Sequence, residues 1–321
     1  MKKLRVAIQM DPPGKLSKRF DSTLYLARAA ARRGYELFHY EPRHLRVETD
    51  GGKRRITAQG HALKFKSAAQ DSVYHGAAQT QDLSGSDVVL MRQDPPFDLA
   101  YFAATHILEL LPVKVRVIND PKGVRDAPEK LIALHAPQLL PPTLVTRDVA
   151  AIEKFRARHG EIIFKPLFGF AGHGIFRFGP DDGNLHALLE QMAALNGEPW
   201  MIQKFLPAIA HTGDKRIILL DGEPAGCFTR MPARKDGRGN MRVGAKPSRA
   251  PLTRRDREIC EVLAPILKSR GLYLAGIDVI GDYLTEVNVT SPTGLVVADR
   301  LAGRTGKATI AERFWEGVLA E

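Results

Sequence analysis

The sequence predicts an α/β protein: a parallel α/β domain at the N-terminus, followed by two smaller α+β domains. In the first third of the chain, short apolar runs alternate with amphipathic helices, an order typical of parallel sheets with crossover helices. In the last third, apolar runs flank the dipeptides Asp221-Gly222 and Gly281-Asp282, which predict antiparallel hairpins. The pattern predicts domains at residues 1–122, 123–199 and 200–321.

The N-terminal domain opens with a strand, a helix and a second strand. An apolar run at 4–10 ends in a turn rich in Pro and Gly, which predicts the first strand. Asp21 precedes a run with helical apolar spacing that ends before Gly34, so it predicts a capped helix. The further segments are strands at 35–40, 88–91 and 115–118, a helix at 99–111, and a polar, weakly patterned stretch at 42–86.

The two later domains combine shorter elements. Their predicted helices lie at 127–136, 148–158, 185–195 and 254–269. Their predicted strands lie at 144–145, 162–165, 175–178, 200–205, 217–220, 225–229, 274–280 and 284–289. A glycine-rich loop is predicted at 168–174, and a mobile loop rich in Gly, Arg and Lys at 234–246.

The composition excludes several classes of protein. Hydrophobic residues make up 44% of the 321 residues and charged residues 26%, which excludes a collagen-like or largely disordered chain. Cys227 and Cys260 stand in no CxxC or Cys/His spacing, so neither a disulfide framework nor a cysteine-based zinc site is expected. No apolar run approaches the ~20 residues of a membrane span. Without a targeting segment, we expect a cytoplasmic location.

The formal net charge of +11 favours an anionic partner. Nucleic acids, anionic membranes and phosphorylated small molecules all fit such a surplus. A nucleic-acid-binding protein is the weaker hypothesis, because the basic residues are dispersed and aromatic residues amount to only 7%. The charge alone does not choose among these partners. The motifs described below lead us to expect a small-molecule partner, with no nucleic acid and no membrane.

The second predicted hairpin carries three oxygen-bearing side chains in otherwise apolar strands. Glu286 and Asn288 share one face of their strand because they are two residues apart. A two-residue loop would place Thr285 opposite Asp278, whereas a three-residue loop that includes Tyr283 would pair Asp278 with Glu286. In the second arrangement the three side chains converge as ligands for Mg²⁺. The alternative is that they form the solvent-facing side of an edge hairpin.

Lys165 ends an apolar strand and precedes the glycine-rich loop. A lysine at the end of a buried run is costly unless its ammonium group meets water or an anion. The glycines Gly169, Gly172 and Gly174 allow backbone N–H groups to approach phosphate oxygens. The loop matches neither a P-loop nor a dinucleotide-binding fingerprint. A phosphate-binding loop and an ordinary hairpin turn are the alternatives.

Four arginines stand in positions that suit an anionic ligand. Arg92 follows a strand at the carboxyl end of the predicted parallel sheet, where open α/β sheets bind ligands. Arg216 and Arg230 lie on the two arms of the first hairpin, and Arg238 lies in the predicted mobile loop. A guanidinium group binds a carboxylate or a phosphate through two hydrogen bonds. For each arginine the alternative is a surface salt bridge.

A series of short motifs, taken together, resembles one known family. In order along the chain, the motifs are Met10-Asp11-Pro12, Leu-Met-Arg-Gln-Asp-Pro-Pro-Phe-Asp at 90–98, Asn119-Asp120-Pro121, Glu129-Lys130-Leu131, Lys165-Pro166-Leu167, Gly213-Asp214-Lys215-Arg216, Asp221-Gly222-Glu223-Pro224, Arg230, Arg238-Gly239-Asn240, 276–282 and 285–293. They resemble those of the bacterial glutathione synthetases, a family of the ATP-grasp superfamily. The resemblance covers nearly the whole chain and is weak at 42–86 and after Gly294.

The resemblance implies a fold and a set of site residues. The fold is a pre-ATP-grasp α/β domain followed by an ATP-grasp fold of two α+β subdomains, a lid and a catalytic subdomain, with ATP between them. The implied residues are Lys130, Lys165, Gly169, Gly172, Gly174, Gln203, Lys204, Phe205, Leu206 and Asp214 for ATP; Arg92, Asn288, Thr290 and Ser291 for substrate; Asp278, Glu286 and Asn288 for metal; and Arg216, Arg230 and Arg238 for catalysis.

The reaction that the resemblance implies is the ATP-dependent ligation of γ-glutamylcysteine and glycine. ATP phosphorylates the cysteinyl carboxylate, and the glycine amine then displaces phosphate from the acyl phosphate. Lysines and two Mg²⁺, with Mn²⁺ as an alternative, neutralise the phosphoryl oxygens. A closing loop keeps water from the acyl phosphate. The resemblance also implies a homo-oligomer, either a dimer or a tetramer.

Three departures from the family pattern leave the substrates open. Phe168 and Ala171 stand where the family usually has Asp-Gly or Tyr-Gly and then a glycine pair. The segment at 241–246 is more cationic than the small residues usual there. Val296 and Val297 replace two charged residues near the acceptor site. The alternatives are therefore a ligase for a different acid or amine, and an ATP-binding relative without turnover.

Overall fold

A computed structural model describes residues 3–17, 20–65, 72–170, 172–195, 198–232 and 244–320. Among these residues the strands form three sheets. In this part of the chain, no helix combines the length and the hydropathy that crossing a membrane requires. Arg238, Ala171 and most of the predicted loop at 234–246 lie outside the described residues.

The first sheet, here called the N-terminal sheet, is parallel at its centre and antiparallel at one side. Its strands are β1 (Arg5–Gln9), β2 (Glu36–Asp50), β3 (Lys53–Phe65), β4 (Ser72–Asp82), β5 (Val88–Met91) and β6 (Arg116–Ile118). The strand order is β4-β3-β2-β1-β5-β6, with β2, β1, β5 and β6 parallel. The parallel part confirms the predicted fold class. The second half of β2 and strands β3 and β4 were not predicted, because residues 42–86 are polar and weakly patterned.

The centre of this sheet forms a topological switch point. β1 lies between β2 and β5, so the connections after β1 and β5 diverge and leave a crevice at their carboxyl ends. The first helix, α1 (Ser22–Arg32), begins with an Asp21 side chain that accepts a hydrogen bond from Leu24 N. The second helix, α2 (Leu99–Glu109), begins in the same way with Asp98. Arg92 directly follows β5 and therefore lies at the crevice.

The second sheet, here called the lid sheet, is antiparallel. After the short α3 (Pro121–Arg125), its elements are β7 (Thr143–Thr146), α4 (Val149–His159), β8 (Ile162–Pro166), β9 (Phe176–Phe178), α5 (Asn184–Leu195) and β10 (Trp200–Lys204), in the strand order β7-β10-β8-β9. The helix predicted at 127–136 is wrong, since the segment contains a 3-10 turn at Ile132–His135, and a second 3-10 turn follows it at Pro137–Leu139. The Glu129 carbonyl accepts from Val287 N instead of from a helical N–H.

The third sheet, here called the C-terminal sheet, is also antiparallel. Its elements are α6 (Ile209–Thr212), β11 (Asp214–Leu220), β12 (Glu223–Met231), β13 (Lys246–Ser248), α7 (Arg254–Lys268), β14 (Leu274–Ile280), β15 (Tyr283–Asn288), α8 (Leu295–Ala302) and α9 (Ile310–Ala320), in the strand order β13-β12-β11-β14-β15. Both predicted hairpins are confirmed. At the first turn, Asp221 and Gly222 have φ of 47° and 74°, as a primed two-residue turn requires.

The register of the second hairpin differs from both arrangements that the sequence suggested. Asp278 does pair with Glu286, yet Ile280 pairs with Tyr283 across a two-residue turn. A register shift beside Asp278 leaves Thr285 as an extra residue, which is a β-bulge. The Thr285 hydroxyl donates to the Asp278 carbonyl at 3.1 Å. The bulge, not a longer loop, therefore brings the two carboxylates together.

The hydrophobic cores are shared unequally among the sheets. Side chains of the N-terminal and C-terminal sheets enter the same clusters, for example Phe38 with Ile217 and Val6 with Phe228. The lid sheet and its two helices have a separate cluster, built around Phe164 and Trp200. The domain boundaries at 122 and 199 stay predictions.

Asn119 joins the N-terminal sheet to the C-terminal sheet. Its Nδ2 donates to the carbonyls of Leu274 and Val289 at 2.7 and 2.8 Å, and its Oδ1 accepts from Leu274 N at 2.8 Å. Only 5% of Asn119 is exposed. The side chain of Asn119, which follows β6, therefore satisfies buried backbone groups at the start of β14 and just after β15.

Replacing Asn119 with aspartate is expected to lower the free energy of unfolding by about 3 kcal/mol. A carboxylate can donate to neither carbonyl, and its charge is buried without a cation. Urea denaturation at neutral pH measures the change. Asn184→Asp, at the exposed start of α5, is the matched control and should change stability by less than about 0.5 kcal/mol. An Asn119→Asp protein as stable as the control would contradict the expectation.

Candidate active site

A cleft of about 900 Å³, a volume that includes its open mouth, lies between the lid sheet and the C-terminal sheet. Its lining includes these residues predicted from the sequence: Lys130, Lys165, Gly169, Gly172, Gln203, Lys204, Phe205, Leu206, Asp214, Asp278 and Glu286. Gly174 is not among the lining residues. It takes φ of 69°, and a Cβ there would lie 2.8 Å from Pro166 Cγ, so this glycine lets the loop fold back onto β8.

One end of the cleft is apolar and the other is charged. The apolar end is lined by Ile163, Phe205, Leu206, Ile209 and Ile280, where β8, the chain after β10, α6 and β14 meet. The Arg177 guanidinium stacks over the ring of Phe205, 3.8 Å from its centroid. The charged end holds the ammonium groups of two lysines and three carboxylates. This asymmetry suits a ligand with a flat apolar part and an anionic part.

Two ammonium groups lie at the charged end. Lys130 Nζ lies 3.1 Å from Glu286 Oε1 and donates to the Gly169 carbonyl at 2.5 Å. Lys165 Nζ donates to Gln203 Oε1 at 2.7 Å, because β8 and β10 are paired neighbours. Burial lowers the pKa of Lys165, and the charge of Lys130 acts in the same direction. An anion in the cleft would relieve this repulsion.

Strand register places a row of charges on one face of the C-terminal sheet. Arg216 on β11 pairs with Asp278 on β14, which pairs in turn with Glu286 on β15. Asp214 pairs with Arg230 across β11 and β12. Because alternate residues of a strand share a face, Asp214 and Arg216 point the same way. Five charged side chains from four strands therefore lie together on one face of the sheet, and the three carboxylates among them line the cleft.

Asp278 is the centre of this row. Arg216 donates to both of its oxygens, at 2.5 and 2.9 Å, and Arg230 Nη2 lies 2.8 Å from Oδ1. Although burial alone would raise the pKa of Asp278, the two guanidinium groups lower it to about 2. Asp214 accepts from Arg230 at 2.5 Å, but burial is the larger effect and raises the pKa of Asp214. Both predicted catalytic arginines that the structure describes thus hold the same carboxylate.

The oxygen donors expected to hold metal fit that task. Asp278, Glu286 and Asn288 lie on paired strands with their side chains on one face. Oδ2 of Asp278 faces Asn288, whose Nδ2 lies 3.3 Å away. Across the described residues no three His, Cys, Asp or Glu side chains form a cluster of metal ligands. The donor set of Asp278, Glu286 and Asn288 is typical of Mg²⁺, which takes one or two carboxylates and completes its shell with phosphate and water.

Three of the predicted substrate residues, Arg92, Thr290 and Ser291, lie apart from the cleft, where the N-terminal sheet meets the segment after β15. Arg92 is 4% exposed and donates to Thr23 Oγ1 at 3.1 Å and to the Pro292 carbonyl at 2.9 Å. Ser291 Oγ donates to the Arg92 carbonyl at 3.3 Å. Among the described atoms, the buried Nη1 of Arg92 has no hydrogen-bond partner. A buried donor without a partner indicates a place for an acceptor on a ligand.

A smaller cavity links these two regions. Its lining includes Phe97, Glu129, Phe168 and Thr290. Phe97 and Phe168 stack with their ring centroids 6.4 Å apart, so the unusual Phe168 packs the glycine-rich loop against the N-terminal domain. Val297 belongs to the core shared by the N-terminal and C-terminal sheets. That valine is therefore a packing residue of α8.

Glu129 makes contacts that sequence analysis missed. Its Oε1 accepts from Val289 N, Thr290 N and Thr290 Oγ1, at 2.9, 3.1 and 2.7 Å. Burial and the nearby charge of Glu286 raise the pKa of Glu129. Its contacts lie 160 residues further along the chain, and no local pattern predicts them. The one available signal was its position beside Lys130.

Similarity to protein families and to curated proteins extends over nearly the whole chain. A family model of the prokaryotic glutathione synthetase N-terminal domain matches residues 4–125, and one of its ATP-grasp domain matches residues 129–303. The glutathione synthetase of Brucella melitensis is 44% identical over 317 residues, which is 99% of both chains. That of Mesorhizobium japonicum is 45% identical over 316 residues, 98% of both chains.

Solved structures with a similar fold are more distant in sequence. D-cycloserine synthetase DcsG has a TM-score of 0.67 at 15% identity, over 98% of this chain and 99% of that chain. The macrocyclase MdnC from Microcystis aeruginosa has a TM-score of 0.62 at 16% identity, over 98% and 99%. These two similarities concern the fold alone. The family model that matches residues 129–303 confirms the predicted ATP-grasp architecture after the N-terminal domain. On the match of both family models and the identity over full length, the chain belongs to the prokaryotic glutathione synthetase family.

Proposed function

We propose that the protein is an ADP-forming ligase that joins γ-glutamylcysteine and glycine to make glutathione. The observation that carries the proposal is identity of about 44% along the full length of curated glutathione synthetases. The geometry agrees with it, because a cleft with one apolar and one cationic end suits ATP. Use of ATP and of a divalent metal is general for the family.

The cleft residues have distinct proposed roles in binding ATP. The adenine lies at the apolar end, against the strand and turn formed by Gln203, Lys204, Phe205 and Leu206. The phosphates lie at the charged end, between the ammonium groups of Lys130 and Lys165 and beneath Gly169 and Gly172. Lysine charge neutralises the oxygens of the transferred phosphoryl group and holds it in line with the acceptor. Asp214 is proposed to orient Arg230 at the same end.

Asp278, Glu286 and Asn288 are proposed to hold two Mg²⁺, with Mn²⁺ as an alternative. When bound, the metal neutralises phosphate oxygens and orients the terminal phosphate. Asp278 would hold the metal through Oδ2, because the contacts of Oδ2 with Arg216 and Asn288 are longer than those of Oδ1 with the two arginines. Arg216 and Arg230 keep Asp278 ionised, so the ligand is ready at neutral pH.

The acid substrate is proposed to lie between Arg92 and the cleft. The unpartnered Nη1 of Arg92 binds a carboxylate of the γ-glutamyl end, and Thr290, Ser291 and Asn288 bind the peptide near the reacting carboxyl. Arg216 and Arg230 stabilise the negative charge that develops when the glycine amine attacks the acyl phosphate. Arg238 is proposed to join them from a segment outside the described residues. The stack of Phe97 on Phe168 closes the loop over this region and excludes water.

We expect ADP release to require ATP, Mg²⁺, γ-glutamylcysteine and glycine together. The assay measures ADP with each component omitted in turn, and mass spectrometry detects glutathione. An acyl phosphate formed without glycine should turn over only slowly, because the closed cleft excludes water. Glutathione in the complete mixture, and in no mixture lacking a component, supports the proposal.

A ligase for another acid or amine gives a different result. It binds ATP and releases ADP only when γ-glutamylcysteine or glycine is replaced by a different acid or amine, which a panel of both substrates would reveal. ATP binding without turnover on any pair would leave the cleft as a nucleotide site and overturn the assigned reaction. The expected dimer or tetramer stays a prediction, to be measured by light scattering.

A further inference from the structure

We propose that Glu129 is a positioning residue for this ligase, because its carboxylate fixes the backbone that links the metal ligands to the substrate-binding residues. The inference rests on the proposed function for its kinetic readout. It makes Glu129 essential to turnover although the residue need not touch ATP, metal or substrate.

A single side-chain oxygen of Glu129 makes several hydrogen bonds. Oε1 of Glu129 accepts three of them, two from successive backbone N–H groups at Val289 and Thr290 and one from the Thr290 hydroxyl. Two peptide planes are thus fixed at the point where β15 ends and the substrate segment begins.

The backbone that Glu129 holds through its N–H groups is also held through a carbonyl. Asn119 Nδ2 donates to the Val289 carbonyl at 2.8 Å, so both the N–H and the carbonyl of this residue are bound by side chains. The backbone carbonyl of Glu129 also accepts from Val287 N at 3.1 Å, between Glu286 and Asn288. Glu129 therefore contacts the chain before and after Asn288.

Glu129 and its neighbour Lys130 both bind residues at the end of β15 or just after it. Lys130 pairs with Glu286 at 3.1 Å, while Glu129 holds the residues just beyond Asn288. A shift of the segment that begins at the end of β15 would move the oxygens of Glu286 and Asn288 relative to Thr290 and Ser291. Misplacement by about 1 Å far from the chemistry can cost about 100-fold in rate.

A charged carboxylate at position 129 has a cost in free energy. Glu129 is half-buried and feels the negative charge of Glu286, so its charge is unfavourable unless hydrogen bonds compensate for it. All the hydrogen bonds of Oε1 require an acceptor and none requires a charge. An amide oxygen can accept the same three hydrogen bonds. Glutamine at this position should therefore preserve the geometry, and alanine should lose it.

The experiment compares Glu129→Ala, Glu129→Gln and Asp299→Ala in the full-length protein. Asp299 is the control, a buried carboxylate that accepts from Tyr25 Oη at 2.9 Å and Ile310 N at 2.8 Å, between α1, α8 and α9. Glu129→Ala should lower kcat about 100-fold while the KM for ATP changes less than about threefold. Glu129→Gln should recover kcat to within about fivefold of wild type. Asp299→Ala should lower the melting temperature and leave kcat per folded molecule unchanged.

Amide hydrogen exchange supplies a readout that does not depend on the reaction. In Glu129→Ala the amides at 287–291 should exchange at least about tenfold faster than in the wild type, with no such change in Glu129→Gln. If wild-type protein makes no glutathione, the proposed function fails while the exchange result still decides what Glu129 holds. Three outcomes would overturn the inference: unchanged exchange in Glu129→Ala, a kcat loss no larger than that of Asp299→Ala, or a Glu129→Gln protein as slow as Glu129→Ala.

Discussion

Asp278→Asn is expected to lower turnover by about 1,000-fold or more, the largest effect of any single isosteric change in this protein. The variant loses the anionic oxygen proposed to hold metal, and it releases the two guanidinium groups of Arg216 and Arg230 from their common partner. An amide also presents an NH₂ group toward one of these cations. Steady-state ADP release, measured over a range of Mg²⁺ concentrations, gives the loss in kcat and any rise in the metal requirement.

The same variant is expected to be less stable by about 3–5 kcal/mol, because it leaves buried arginines with less compensating charge. Urea denaturation measures this loss separately from activity. Asp148→Asn is the matched control: Asp148 caps α4 by accepting from Ala150 N and Ala151 N, and asparagine caps a helix equally well. The control should match wild type in both assays. An Asp278→Asn protein that keeps more than about a tenth of wild-type turnover would exclude Asp278 as a metal ligand.

Lys130→Met is expected to lower kcat/KM for ATP by about 1,000-fold. Methionine preserves the length of the side chain but removes the positive charge from the phosphate end of the cleft. It also leaves Glu286 without its ion pair and the Gly169 carbonyl without a donor, so the glycine-rich loop is no longer tied to the C-terminal sheet through this lysine. Both effects act on phosphate binding, and we expect a rise in KM together with a fall in kcat.

Calorimetric titration with ADP and steady-state kinetics measure the two parts of this loss. The control is Lys268→Met, which removes an exposed ammonium group paired with Asp221 at the turn after β11 and should leave both parameters within about twofold of wild type. A Lys130→Met protein that binds ADP with normal affinity and turns over at more than about a tenth of the normal rate would place the phosphates elsewhere.

Local patterns predicted the parts of the fold whose determinants lie close together in sequence. The hairpin turn at Asp221-Gly222 depends on two adjacent residues, and the helix after Asp21 depends on a cap and an apolar stripe. The position of Arg92 at the sheet crevice followed from a topological rule. In contrast, β3 has three consecutive exposed residues at 53–55 and three consecutive buried residues at 56–58, so this strand left no clean alternation to find.

The site could be predicted only as a set of residue types. Pairing of Asp278 with Glu286 was one of two arrangements that the sequence left open, and the bulge at Thr285 that pairs them depends on the strand context and not on loop length. The ion pairs of Asp278 with Arg216 and Arg230 require β11 to pair in one register with β12 and in one register with β14, which no local pattern specifies. The roles assigned to these residues, and to Arg238, stay predictions until the variants are measured.

The division of the hydrophobic cores has a consequence for the temperature dependence of nucleotide entry. The lid sheet carries its own core, so tilting it away from the other two sheets exposes little apolar surface. The interactions that such a tilt breaks at the rim are polar or single aromatic stacks, such as Lys130 with Gly169 and Phe97 with Phe168. Exposure of apolar surface is what gives a conformational change a large heat capacity. The equilibrium between open and closed clefts should therefore have a nearly constant enthalpy over the growth range, unlike unfolding, whose enthalpy rises steeply with temperature.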